Sequence, residues 1–288
     1  MSIIDLTQLP PPDVVEALDF EQIYQDMLGS FRANLGEDWN AALESDPVVK
    51  LLQLAAYREL QIRARINDAA RANLIACAEG TDLDHAAAFY NVARLRVPGA
   101  ADGESESESE SDERLRLRTQ LRIAALAGNG TPEQYRYVAL SASPQVHDAA
   151  IMPATPGSVA LAVWPEAEAH GAGVLAQVQQ AFAADDAKPL GVPLTVVLAQ
   201  ARPLAVQATI YRESTAPLDL AAQLQEALPL QIAGYARLGR DLSTSWLAGR
   251  LHVEGVSRVQ LDTDGVTVAP NEYVEPDSVE IRDGGVAW

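Results

Sequence analysis

The chain has 288 residues, with 40 acids against 21 bases and a formal net charge of −19. At 48% hydrophobic and 21% charged residues it has the composition of a folding chain, and its acidity argues against a surface built for nucleic acid or anionic lipid. Its single cysteine, Cys77, excludes an internal disulfide and a cysteine-rich zinc site. The length suits two or three domains, and no apolar run approaches the roughly 20 residues that span a bilayer. Residues 1–12 lack a basic stretch followed by an apolar core, so they are not read as a signal peptide, and a reducing cytoplasm is the expected place of synthesis. The negative charge is spread along the chain. Arginine supplies 19 of the 21 bases, Lys50 and Lys188 being the exceptions. Two explanations of that bias stand side by side: interfacial ion pairs that use the planar guanidinium, and a GC-rich genome.

In chain order, Pro10-Pro11-Pro12 is a stiff extended lead-in. Residues 13–35 read as an amphipathic helix on Val14, Leu18, Ile23, Met27 and Phe31, stopped at Gly36. Next, Ser45 or Asp46 can cap, Pro47 occupies a first helical position, and no glycine or proline follows until Gly80. A helix over 47–78 would be about 48 Å long, several times an average helix. Its apolar stripe includes Val48, Leu52, Ala55, Ile62, Ile66 and Ala69, and its many alanines admit a close neighbour. Such a helix packs in a bundle, with partner chains or within the chain's own fold. Thr81 can cap a short helix over 82–90, with Asp82 and Asp84 in its first turn.

Residues 101–111 alternate glutamate and serine after Ala-Asp-Gly, carry no large apolar side chain and read as a mobile acidic loop. Asp112–Ala127 is helical again. Thr131-Pro132-Glu133-Gln134 is a capping box that opens a helix to Ala142. From there the pattern turns strand-like at Val146–Ile151, Ser158–Trp164, Pro193–Ala199, Leu204–Tyr211, Val256–Leu261, Val266–Val268 and Val279–Ile281. Helices are expected around Val174–Phe182, 218–233 and 243–252. The fold class is α+β: a helical N-terminal region with a long bundle-forming helix, then two small α+β domains built on short hairpins rather than βαβ repeats. The expected divisions are 1–100 (helical core-bundle region), 101–111 (acidic loop), 112–143 (helical connector), 144–202 (middle domain) and 203–288 (C-terminal domain).

Chemistry is sparse. His85, His147, His170 and His252 show no metal-ligand spacing, and Gly-x-Gly at 128–130 and 171–173 continues into no phosphate fingerprint. Cys77 reads as a small buried residue. His147-Asp148 is the one seed for an alternative reading as an acidic cytoplasmic hydrolase, but neighbours on a strand point to opposite faces. No catalytic, cofactor-binding or metal-binding residue is nominated, and no cofactor is expected.

Several segments fall in an order that resembles the baseplate J family, the wedge protein of contractile phage tails and of tail-derived R-type bacteriocins (R-type pyocins). They are Ala69-Ala70-Arg71-Ala72-Asn73, Gly80-Thr81-Asp82-Leu83-Asp84, Asn91-Val92-Ala93-Arg94-Leu95, Glu110-Ser111-Asp112-Glu113-Arg114-Leu115-Arg116, Gly130-Thr131-Pro132-Glu133-Gln134-Tyr135, the stretch from Val146 to Gly157, Pro193-Leu194-Thr195 and Leu251-His252-Val253-Glu254-Gly255-Val256. The chain departs from the family in having Thr131 between Gly130 and Pro132, and in the length of its glutamate–serine run.

The resemblance implies a structural, non-enzymatic subunit. Two copies would pair in each wedge with a second wedge protein of the phage tail protein I type. Neighbouring wedges would meet through C-terminal dimerisation domains in a six-fold ring around the hub and spike, and rearrangement of that ring would trigger sheath contraction. A lysozyme-like baseplate protein and the sheath would be further partners, with no direct contact to nucleic acid or membrane, and assembly would take place in the bacterial host cytoplasm. The bundle surface then falls on Leu52, Ala55, Ile62, Ile66 and Ala69, and the family motif on Gly80, Thr81, Asp82, Leu83 and Asp84. Trp246 and Trp288 are nominated as ring contacts from the tendency of tryptophan to anchor interfaces.

Overall fold

The computed structural model describes residues 6, 9, 10, 12, 14–35, 43, 45–97, 109–167 and 169–287. The helix stop at Gly36, residues 101–108 of the acidic run and Trp288 lie outside the described residues. The fold is α+β with a helical N-terminal region, and the chain forms two compact units: residues 1–94 with 111–119, and residues 95–110 with 120–288.

In the first unit, α1 spans Phe20–Leu35, α2 Pro47–Ala72 and α3 Gly80–Ala88, and α4, Asp112–Ala125, contributes its residues up to Thr119. The expected helix over 13–35 starts only at Phe20. The Asp19 carboxylate accepts from the Glu21 and Gln22 backbone N–H groups at 2.9 and 3.2 Å, which makes Asp19 the cap and leaves Val14 and Leu18 exposed. The long helix is capped by Asp46, whose side chain accepts from the Val48 N–H at 2.8 Å. It runs 26 residues and stops at Ala72 rather than residue 78. The Asn73 amide donates to the Ala69 carbonyl at 2.7 Å and takes the acceptor that the next helical N–H would use. The chain then turns, with Leu74 donating to Arg71 and Ala78 to Leu74. Thr81 lies inside α3 and does not cap it; the position before the helix is Glu79, which makes no side-chain cap.

The second unit holds α5 (Pro132–Ala142), β1 (Val146–Met152), β2 (Val159–Pro165), α6 (Gly171–Ala181), β3 (Leu194–Leu198), β4 (Gln200–Arg212), α7 (Leu220–Tyr235), α8 (Thr244–Leu251), β5 (Val256–Leu261) and β6 (Glu272–Val286). Thr131 caps α5 by accepting from the Gln134 N–H at 3.2 Å, and the Gln134 side chain accepts from Gly130, one residue earlier than in a standard box. Two mixed three-stranded sheets follow, in the orders β1-β2-β3 and β5-β4-β6. The β1–β2 and β4–β5 pairs are antiparallel, but β2–β3 and β4–β6 are parallel. A parallel pair needs a crossover, so β2–α6–β3 is a βαβ unit where hairpins alone were expected.

The C-terminal sheet differs from its sequence pattern in three further places. β4 begins at Gln200, ahead of Pro203. That proline faces Glu275 of β6 alone, since β5 joins only from Ala208 onward, and β4's other side needs no N–H there. The expected strand Val266–Val268 is reduced to one bridge between Leu242 and Val266. The expected Val279–Ile281 grows to the 15 residues of β6 despite Pro276, Gly284 and Gly285. Gly284 is required there, because a Cβ at this position would lie 2.7 Å from the Tyr211 ring. Leu204, Val206, Ala208 and Ile210 alternate inward on β4 and meet Leu224, Leu228 and Ile232 of α7 and Leu247 and Leu251 of α8 in one core. Arg212 continues the inward row. It is buried and donates to Asp283 at 2.8 Å, and the pair ties β4 to the far end of β6.

A methyl at Gly265 would sit 2.7 Å from the Leu242 carbonyl oxygen and 3.0 Å from the Thr244 nitrogen, both backbone atoms beside the isolated bridge. Gly265→Ala is therefore expected to destabilise the second unit by about 1–3 kcal/mol in urea unfolding. An unchanged midpoint would show that this loop moves aside freely.

Candidate assembly interface

The helical unit presents exposed apolar side chains on α2. On α2 the buried residues Val49, Ala56 and Asn67 fall on one line, the side packed against α1. Asn67 closes that packing: its carbonyl oxygen accepts from the Glu16 N–H at 3.1 Å and its amide donates to the Glu16 carbonyl at 2.8 Å. Leu52 is half-buried and lines a groove between α1 and α2 with Ile23, Met27 and Phe31.

Ala55, Ile62, Ile66 and Ala69 are exposed, with Ile62 61% and Ile66 55% accessible. At 100° per residue they form a stripe about 60° wide with Leu51, turned roughly 130° from the buried line. Leu51 is 65% accessible; Leu54 and Tyr57 are also exposed, outside the stripe. The stripe runs into a groove of about 550 Å³ between the end of α2 and α3, lined by Ala69, Ala72, Asn73, His85 and Phe89 among others. Phe89 is 89% accessible, the most exposed large apolar side chain described. The sequence reading nominated neither Leu51 nor Phe89, although Leu51 continues the 4-and-3 spacing through Ala55, Ile62 and Ala69.

The Gly80–Asp84 segment has a structural task behind this surface. Gly80, at φ +52°, donates its N–H to Asp112 at 2.8 Å. Arg94 donates to Asp84 at 2.7 Å, to the other Asp112 oxygen at 2.6 Å and to the Gly80 carbonyl at 3.3 Å. The Gly80 N–H, then Arg94, holds the Asp112 carboxyl below the usual range. Leu83 is buried beneath, while Thr81 and Asp82 are exposed. Arg116 donates to the Ile75 and Ala78 carbonyls at 2.8 and 2.7 Å, and Arg118 to the Ala93 carbonyl at 3.1 Å. These arginines cap turns, a use that neither explanation of the arginine bias covered.

The remaining nominated residues are placed elsewhere. His147 faces out, 3.1 Å from a Glu166 oxygen and against the Trp164 ring, whereas Asp148 is buried and accepts from Arg136 at 2.8 Å and from the Ala149 N–H at 2.7 Å. They do not meet. Cys77 is exposed, contrary to the buried position expected, because it lies in the turn after α2 and not on that helix. Trp246 is half-buried on α8 against Tyr235. Among the described residues no three His, Cys, Asp or Glu side chains gather as a metal site.

Residues 44–101 match the family described as Baseplate J-like N-terminal domain. Over 277 residues the chain is 39% identical to baseplate protein J of Escherichia phage P2, covering 91% of this chain and 90% of that protein. The chain belongs to the baseplate J family; it is a structural subunit of the baseplate of a phage tail or tail-like particle, where it assembles with other baseplate components. A solved structure, the six-fold-symmetrised anti-feeding prophage baseplate, aligns over 59% of this chain and 42% of that chain, at 16% identity and a TM-score of 0.41.

Because Asp112 is held below the ordinary carboxylate range, its stabilising effect is complete above that range and is lost as pH falls through its lowered value. The thermal stability gap between the wild type and Asp112→Asn should therefore be widest near neutrality and close as pH drops below about 4. A gap constant across that range would mean the charge contributes nothing.

Proposed function

We propose that this chain is a non-enzymatic wedge subunit whose exposed stripe Leu51, Ala55, Ile62, Ile66 and Ala69, with the adjoining Phe89 groove, is buried by helices of partner chains in a core bundle. One observation carries the reading. A 26-residue helix buries one face on its own chain and leaves a second apolar line in water. The partners are a second copy of this chain and a second wedge protein of the phage tail protein I type. Leu52 supports the surface from the α1 side.

In the same reading, the C-terminal region from residue 203 pairs with its counterpart in a neighbouring wedge, with Trp246 and Trp288 as contacts. The resulting six-fold ring surrounds the hub and spike, meets the sheath and a lysozyme-like baseplate protein, and starts contraction when it rearranges. Assembly takes place in the bacterial host cytoplasm. The hydrolase alternative rested on His147 with Asp148, and these two side chains face different partners, Glu166 and Arg136.

Exposed side chains can be changed without emptying a core. The double variant Ile62→Asp/Ile66→Asp should keep its melting temperature, with a stability change within about ±0.5 kcal/mol per site, yet lose co-purification with the second wedge protein. Leu52→Asp should instead lower stability, because it charges the α1–α2 groove. Normal particles from the double variant would remove the bundle surface from this face.

A further inference from the structure

The C-terminal region carries a second surface with a different chemistry. Tyr235 at the end of α7 and Trp246 on α8 meet with ring centroids 4.5 Å apart and planes tilted by 35°, and both pack on the core beneath. A guanidinium lies over each ring: Arg240 is 4.0 Å from the Tyr235 centroid and Arg250 is 5.2 Å from the Trp246 centroid. Arg237 stands beside them, donating to the Ala236 carbonyl at 2.6 Å and the Gly234 carbonyl at 3.3 Å. Arg240 also donates to the Tyr235 carbonyl at 3.3 Å.

The three arginines are exposed and, among the described residues, none is in an ion pair. Asp241, next in sequence to Arg240, accepts from the Val268 N–H at 2.9 Å, and Glu272 turns its carboxylate to the Ala269 N–H at 2.9 Å. In a chain with 40 acids and 21 bases, three neighbouring cations that meet carbonyls and aromatic rings but no carboxylate form a local positive excess.

We propose that the Arg240–Tyr235–Trp246–Arg250 face, with Arg237 at its edge, docks a carboxylate-rich segment of a partner polypeptide. The rings hold each guanidinium over an aromatic face, and a guanidinium presents a fork of N–H donors that takes a carboxylate in paired hydrogen bonds. The rings are anchored in the core, so the donors are ordered before the partner arrives and little freedom is lost on binding. Charge selects the partner: a chain of net charge −19 repels a continuous polyphosphate, whereas a short acidic segment meets the local cations at small long-range cost. The inference goes beyond the ring-contact role proposed for Trp246, since it fixes the chemistry of what that side chain meets. It does not depend on whether the contact lies within a ring.

The test is a titration of the full chain with a short synthetic peptide alternating glutamate and serine, followed by tryptophan emission. Trp246→Phe assigns the signal. Saturable binding that weakens with added salt, and that falls about tenfold in Arg240→Gln/Arg250→Gln, is the expected result. Arg250→Gln alone carries the same comparison at a smaller loss should the double variant fail to fold. The proposal is overturned if no binding occurs at low salt, if a glutamine–serine peptide binds equally well, if the arginine variants bind as tightly as the wild type, or if oligothymidylate binds in preference. The titration uses no assembled particle, so failure of the wedge reading and failure of this one are told apart.

Discussion

Arg94 is the side chain on which the helical unit turns. It reaches two carboxylates and one carbonyl, and so fixes the start of α3, the segment that leaves it and the start of α4 with a single guanidinium. These three pieces are far apart in sequence, and the acidic run lies between the last two. A planar fork with several donors at set angles can satisfy such an arrangement; a lysine ammonium, a point charge on a flexible stem, would not define it. Gly80 completes the arrangement from the backbone side. Its positive φ turns its N–H toward Asp112, a conformation that a side chain there would strain.

With that frame set, the fold leaves α2 with two apolar faces and covers only one of them. A helix of this length in a self-contained domain would bury its stripe at home. Here the line through Leu51, Ile62 and Ile66 remains in water, and the exposed ring of Phe89 extends it. Exposed apolar surface of this kind is what the proposed bundle would cover, and membership of the baseplate J family supplies the setting. The same setting accounts for the chemistry. The titratable groups that attract attention in the sequence, His147, Asp148 and Cys77, are separated, salt-bridged or simply exposed in a turn, while the strongest charge networks serve to hold backbone in place.

The second unit solves a different problem, the joining of two small mixed sheets. β3 passes into β4 through Ala199 alone, whose N–H donates to the Val163 carbonyl at 2.8 Å, and Gln200 donates to Asn271 at 2.9 Å. Trp164 stacks on Tyr273 with ring centroids 3.9 Å apart beside this junction. Trp164 of β2 thus meets Tyr273 of β6, which ties the middle sheet to the C-terminal sheet by side-chain stacking as well as by chain continuity.

Much of this was legible in the residues themselves. Helix starts followed local rules, as at Pro47 behind Asp46 and Pro132 behind Thr131, because a cap is a contact between residues two or three apart. The apolar line on α2 followed from spacing, and the ordered motifs pointed to the family. Tertiary structure decided what spacing leaves open. Asn73 ended α2 without glycine or proline, since a side-chain amide competing for a carbonyl leaves no compositional mark. Pro203 and Pro276 were admitted into strands because β-partners stand on one side only, and Gly284 is needed because the Tyr211 ring leaves no space for a Cβ there. Which of two apolar faces is covered, and which arginines pair with carboxylates and which meet only carbonyls and aromatic rings, depends on residues brought together from distant parts of the chain. Periodicity reports that a face is apolar; only packing shows what lies against it.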